Sequence, residues 1–248
     1  MKAMLFTRYG GPDVLQPAQI DTPMPNDHEV RIQIHAGTVT STECTFRKGQ
    51  PIIARLFTGL TKPKLKMLGE ELAGVVDVVG REVTRFKPGD EVFGITGESF
   101  GANAEYICLP EDATLALKPA NISFAEAVAP VDGVLTALPF LRDEANLSAE
   151  TQILINGASG AIGTSAVQLA KQMGAEVTGV CSTANVELVR SLGADHVIDY
   201  KKEDFTRSGR TWDVIFDTVG KLSFPRCKRA LKPHGLFLET GISGSILF

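Results

Sequence analysis

The stretch that decides the fold runs Ile153, Leu154, Ile155, Asn156, Gly157, Ala158, Ser159, Gly160, Ala161, Ile162, Gly163. Three apolar residues read as a strand, and glycines at every third position lead from it into a helix. Ile162, Ala166, Leu169, Ala170 and Met173 fall at i, i+4, i+7, i+8 and i+11, a stripe that buries one helix face on a sheet. Gly174 can stop the helix, and residues 176–181 supply a second strand, so the unit is βαβ. The first glycine then permits a tight turn, the second lets a pyrophosphate approach bare backbone, and the third lets the helix pack closely. The helix N-terminus faces the phosphates with free N–H groups and the positive end of its dipole. An αβ turn without a ligand is the bland alternative; the agreement of strand, helix and second strand speaks against it.

Composition narrows the class of partner. The chain has 248 residues, 44% hydrophobic and 22% charged, the balance of a soluble globular protein with one large or two ordinary domains. A net charge of -4 with no dense Lys/Arg run argues against a nucleic-acid or anionic-membrane surface. Residues 1–9 show no secretory signal and no stretch reads as a membrane span, which makes the cytoplasm the default location. Cys44, Cys108, Cys181 and Cys227 are widely spaced and read as free buried thiols in a reducing compartment.

The first half of the chain reads as β. Val30, Ile32 and Ile34 alternate with polar residues, residues 72–79 form a near-continuous apolar strand, and Lys87, Pro88, Gly89 and Asp90 make a turn. Residues 106–109 form a further strand, and the pattern predicts a barrel-like or sandwich fold. The grammar changes near residue 120. Ser123 with Glu126 forms a capping box, a second helix covers residues 133–141, and five apolar strands then alternate with crossovers. The expected organisation is a β-rich domain over residues 1–120 and a doubly wound parallel sheet over 121–248, with its ligand at the carboxyl ends of the strands.

The ordered set GEELAGVVDVVG (69–80), FKPGDEVFG (86–94), APVDGVLTAL (129–138) and LINGASGAIG (154–163) resembles the medium-chain dehydrogenase/reductase superfamily, and within it the zinc-free quinone oxidoreductases that include zeta-crystallin. The resemblance spans the whole chain. It implies a GroES-like catalytic domain followed by a Rossmann domain, with the nicotinamide held between them. Zinc-dependent relatives carry a cysteine at Thr40, a histidine at Glu70 and a third ligand near Val131 and Asp132, so no metal is expected. His28, His35, His196 and His234 are scattered and read as surface or turn residues. After LETG (238–241) the family continues with a further helix and strand; here the sheet reads as truncated after its fifth strand, and the chain is a truncated form, a naturally short member, or one that swaps or pairs that open edge with a second copy as a homodimer.

Cofactor choice rests on the end of the second strand, where an acid would bind a ribose 2′-hydroxyl and repel a 2′-phosphate. Cys181, Ser182, Thr183, Ala184 and Asn185 stand there without an acid, which favours NADPH. Relatives often supply Lys or Arg at 184 or 185, so discrimination against NADH is expected to be modest. Tyr200 matches a tyrosine that contacts the 2′-phosphate in similar reductases, or it caps the sheet. The expected cofactor contacts are Gly157, Ala158, Ser159, Gly160, Ala161, Ile162, Gly163, Cys181, Ser182, Tyr200, Thr218 and Gly241. By motif position Thr136 lies near the nicotinamide, or bonds backbone at a helix start; Thr40 lines the substrate side, or bonds locally. Cys44 lacks a paired histidine and reads as a buried thiol rather than a nucleophile.

Without a Lewis acid, alcohol oxidation is disfavoured. A quinone or α,β-unsaturated carbonyl needs less help, because hydride addition gives a stabilised enolate. The leading expectation is therefore an NADPH-dependent, zinc-independent quinone or alkenal reductase. A non-catalytic NADPH-binding sensor or partner subunit is the rival, motivated by the missing C-terminal return. An enoyl-thioester reductase is the third, with Lys62, Lys64 and Lys66 as carrier contacts or, more simply, a solvated loop. Residues 50–65, read as a loop, carry no motif that names the substrate.

Overall fold

The computed structural model describes residues 1–50, 52 and 55–240; Pro51, Ile53, Ala54 and residues 241–248, and with them the expected contact Gly241, lie outside the described residues. The chain divides into two compact units, Met1–Val131 and Asp132–Phe248.

In the first unit β1 (Lys2–Leu5) pairs with β2 (Gln16–Gln19). β3 (Glu29–Gly37), β4 (Glu71–Val79), β5 (Glu91–Ile95), β6 (Tyr106–Pro110) and β7 (Leu115–Leu117) form an antiparallel sheet in the order β6-β3-β4-β5-β7. Alternation on β3 turns Val30 and Ile32 fully inward, where they join Leu72, Val76, Val92 and Leu109. The outward Arg31 bonds Asp77 at 2.9 Å. Helix α1 (Ser41–Lys48) ends at Gly49, whose φ of +61° is the left-handed conformation glycine accepts at a helix end. The segment read as a loop holds a short helix, α2 (Arg55–Thr58), with Arg55 over the ring of Tyr9.

Helix α3 (Phe124–Val128) opens with the expected capping box: Glu126 N donates to Ser123 Oγ and Ser123 N to Glu126 Oε2. Ala127 and Val128 pack on Ala73 of β4, which assigns α3 to the first unit and puts the division after Val131 rather than at residue 120. The helical run Phe124–Glu144, with mean hydropathy 1.4, is long and apolar enough by length and composition to cross a membrane, contrary to the sequence reading. A third of the apolar window is buried, with Ala127 and Val128 in one core cluster and Ala137 and Leu141 in another, while Leu135 stays 43% exposed.

The second unit is a parallel sheet of β8 (Gln152–Asn156), β9 (Glu176–Cys181), β10 (His196–Asp199), β11 (Trp212–Asp217) and β12 (Leu231–Glu239), in the order β10-β9-β8-β11-β12. Both faces are covered, as a parallel sheet requires. Ile153, Ile155 and Phe216 meet Ala166, Val167 and Ala170 of α5 (Ala161–Gln172) on one face. Leu154, Ile198, Trp212 and Ile215 meet Cys227 of α7 (Phe224–Cys227) on the other. Helix α6 (Val186–Ser191) links β9 to β10. Strand order reverses between β8 and β11, and the register sets Asn156 beside Asp217 and Asp217 beside Glu239 at one edge.

At the opposite edge Asp195 accepts from Val177 N (2.7 Å) and from Lys171 Nζ (2.8 Å), and Asp213 from Gln152 N (2.9 Å) and Lys232 Nζ (2.8 Å). Partial burial pushes both carboxyls up, but the ammonium and N–H partners outweigh it and hold both below the ordinary Asp range. A folded-state pKa below the unfolded one gives stability that is present above the unfolded value and lost as pH falls through the folded one. The urea midpoint is therefore expected to drop below about pH 4. The double variant Asp195→Asn/Asp213→Asn should show a lower midpoint at neutral pH and a shallower fall in acid.

Candidate nucleotide site at the carboxyl ends of the parallel strands

Each glycine of the turn after β8 is required by a different contact. Gly157 has φ +80°, and a Cβ there would stand 2.4 Å from Val219 Cγ2. Gly163 carries the first turn of α5 onto the turn itself: its Cβ would stand 2.1 Å from the Gly157 carbonyl oxygen. Gly160 is the N-cap of α5, and a Cβ there would meet only the Gly157 oxygen at 3.4 Å. The space above Gly160 is open for a ligand.

The N–H groups of Gly157 and Ala158 both donate to Val180 O at 3.0 Å, so they fasten the turn to β9 and are not offered to a ligand. Ala161, Ile162 and Gly163, in the first turn of α5, have no intrahelical acceptor. Their N–H groups and the helix dipole make an anion seat. Open backbone at Gly160 and unmet donors beside it fit a pyrophosphate.

Asp217 fixes the facing wall. It is wholly buried and accepts from Asn156 Nδ2 (2.8 Å), Val219 N (3.0 Å), Lys221 N (3.0 Å) and Leu222 N (2.8 Å). The loop it holds lays Thr218 Oγ1 on the Asn156 oxygen at 2.8 Å. Beside the turn opens a cavity of about 500 Å³, lined among others by Gly157, Val180, Tyr200, Val219, Lys221 and Arg226.

The expected contacts are placed unequally. Tyr200 is 60% exposed and lines the cavity. Cys181 is only 2% exposed, its side chain in the core, where burial pushes the thiol up; it offers the site no side chain, and its carbonyl accepts from Tyr200 N. The period-2 rule explains this, since Cys181 shares a sheet face with Val177. Ser182 Oγ accepts from Asn185 Nδ2 at 3.4 Å, and Ser159 Oγ from the same amide at 2.9 Å. Thr218 braces the turn rather than facing away from it.

Thr136 lies on α4 (Val131–Pro139). One turn earlier Gly133 passes close over α5: a Cβ there would stand 2.5 Å from Ala161 O. Residues three apart share a helix face, so Thr136 follows Gly133 along the side that meets α5. Its hydroxyl has no partner among the described residues.

In the first unit Thr40 is the N-cap of α1, accepting from Glu43 N (3.1 Å) and donating to Glu70 Oε2 (3.3 Å). Positions 40 and 70 thus do come together, as a hydroxyl and a carboxylate. A helix-capping hydroxyl supplies no thiolate, and the pair does not fit the ligand set of a catalytic zinc. His35 stacks on Phe124 and His196 pairs with Glu176. Among the described residues no group of three or more His, Cys, Asp or Glu side chains is arranged to hold a metal ion.

Sequence reading missed Asn156, Asp217, Gly133, Lys221 and Arg226. A strand-end carboxylate followed by Thr218, Val219 and Gly220 is a turn signal, and a glycine inside an apolar helix is a packing signal. Neither says what the residue meets.

An antiparallel β unit followed by a doubly wound sheet with a glycine cradle at its switch point is the architecture of a dinucleotide-binding protein. Residues 26–119 match the alcohol dehydrogenase GroES-like domain family and residues 161–246 the zinc-binding dehydrogenase family. The 2-methylene-furan-3-one reductase of Solanum lycopersicum is 37% identical over 89% of this chain and 58% of its own length. A quinone oxidoreductase of Pseudomonas aeruginosa is 34% identical over 97% of this chain and 73% of its own. The structure of Escherichia coli quinone oxidoreductase complexed with NADPH superposes with a TM-score of 0.83 at 29% identity, over 100% of this chain and 77% of that one. The chain belongs to the medium-chain dehydrogenase/reductase superfamily, in its quinone oxidoreductase group. It spans little more than half the length of the tomato relative.

The open space above Gly160 makes a specific prediction. Gly160→Ala should cost no more than about 1 kcal/mol of stability, the scale of a weakened N-cap. It should weaken a dinucleotide probe, NADPH, about tenfold in a fluorescence titration, one decade of affinity.

Proposed function

We propose that this chain reduces quinones or α,β-unsaturated carbonyls with NADPH as hydride donor and without zinc. The observation that carries the reading is the pairing of a complete phosphate cradle at Gly157, Gly160 and Gly163 with a Thr40–Glu70 hydrogen bond at the positions of zinc ligands. The tomato relative's name, 2-methylene-furan-3-one reductase, and the NADPH of the Escherichia coli structure support it.

Bound NADPH would supply the hydride to an electrophilic carbon. The N–H groups of Ala161, Ile162 and Gly163 hold the pyrophosphate, and Asp217 keeps the facing loop in place. Thr136, with its uncommitted hydroxyl, orients the carboxamide or donates to the substrate oxygen. Thr40 has both its accepting and donating capacity engaged by Glu43 and Glu70, so we assign it a cap and no proton transfer. A quinone or enone tolerates this sparse equipment because its reduced form is a stabilised oxyanion that solvent protonates. Free Cys44, Cys108, Cys181 and Cys227 support a reducing compartment, the cytoplasm.

The near-ultraviolet absorbance of NADPH tests the reading with a panel of quinones, enones, saturated ketones and alcohols. Decay with quinones or enones, undiminished by a chelator, is expected, and Thr136→Val should lower kcat/KM about tenfold, the loss of one transition-state hydrogen bond. Turnover confined to alcohols with NADP and abolished by the chelator would overturn it.

A further inference from the structure

Recognition of NADPH over NADH needs donors or cations for one phosphate on the adenosine ribose. The end of β9 offers Ser182, Thr183 and Asn185, but the fold has already spent the donors of Thr183 and Asn185, and only the Ser182 hydroxyl keeps its own. Thr183 Oγ1 donates to Asp199 Oδ2 at 2.7 Å, and Asn185 Nδ2 donates to Ser159 and Ser182. A hydroxyl that gives its proton to a carboxylate turns lone pairs toward an incoming phosphate. Asp199 itself, held below the ordinary range by Thr183 and by Lys201 N, keeps a negative charge at this strand end. Of the two cations near this strand end, Lys202 faces Asp199 at 3.7 Å and the exposed Lys201 also acts on it.

The other wall of the cavity beside Gly157 is differently equipped. Lys221 is exposed, its backbone N–H pinned to Asp217, and its ammonium has no ion pair among the described residues. Arg226 gives one nitrogen to Asp204 at 3.3 Å and remains half exposed; Asp204 is also held by Thr206 N (3.0 Å) and Oγ1 (2.7 Å). A guanidinium has five N–H donors, so most of Arg226 is uncommitted. Tyr200 lines the same cavity, whose size suits an adenosine. Its acids are Asp204, already engaged, and Glu203, which is exposed.

Building on the proposed use of NADPH, we infer that Lys221 and Arg226 supply the cations that read the 2′-phosphate, from the loop and helix after β11, where Thr183 and Asn185 at the end of β9 have no donor left to give. They are specificity-determining residues and take no part in hydride transfer. Charge-assisted bonds from an ammonium on a pinned backbone and from a half-free guanidinium are the stronger class of phosphate contact.

Calorimetric titration with 2′,5′-ADP and with 5′-AMP isolates this contact from turnover. Wild-type protein should bind 2′,5′-ADP more tightly. Lys221→Met and Arg226→Gln should each weaken 2′,5′-ADP about tenfold, one decade of affinity, and leave 5′-AMP within about twofold. Lys221→Arg should restore most of the loss, and Thr183→Val should leave the preference intact. Both side chains are exposed, so melting temperatures should hold. An equal loss of both ligands would mean that the two residues shape the cavity instead of reading the phosphate, and would overturn the assignment. So would a preference that survives in both variants and vanishes in Lys201→Met or Tyr200→Phe. A gain of 2′,5′-ADP affinity confined to Glu203→Gln would also count against it, since Glu203 would then be reading the ribose hydroxyl. Wild-type protein that binds neither ligand would sink the NADPH reading itself, a result distinct from all of these.

Discussion

A carboxyl group removed from water is costly unless hydrogen-bond donors meet its oxygens, and Asp217 is met by four. Three are backbone N–H groups of the loop that follows it and the fourth is the Asn156 amide on the neighbouring strand. Losing any one would leave a buried lone pair unsatisfied, at a cost of about 1–3 kcal/mol. The loop 218–222 therefore has one shape, and that shape presses Thr218 and Val219 against Gly157. The glycine turn is held on its other side by Val180, and α5 rests on it through Gly163. What remains free is the first turn of α5, the place proposed for the pyrophosphate.

The motif between residues 153 and 174 was legible because its signals are local: apolar period, glycine spacing and a helix stripe all lie within a few residues. The strands of both units were legible for the same reason, down to the capping box at Ser123 and the burial of alternate residues on β3. Contacts between segments distant in sequence were not. Nothing near Cys181 says that its side chain faces the core, and nothing near Thr183 says that a strand 16 residues away presents Asp199 to it. The segment 124–144 is apolar enough for a membrane by length and composition, and nothing within it says that Ala127 and Val128 join one core cluster and Ala137 and Leu141 another.

In the first unit the same division holds. The residue types at 40 and 70 could be read from the sequence, and with them the poor fit to zinc. That the two side chains meet, and that Thr40 is committed as a helix cap, follows from the fold of the chain between them. A hydroxyl held by one partner in its own helix and one on a distant segment adds rigidity at that point rather than a movable proton.

The central claim is that a dinucleotide's pyrophosphate is seated on the first turn of α5. Amide hydrogen exchange of the protein alone and with saturating NADPH tests it residue by residue. Ala161, Ile162 and Gly163 have no intrahelical acceptors, so their amides should exchange readily alone and slow when the nucleotide binds. Slowing elsewhere on the chain, with these three amides unchanged, would contradict the account.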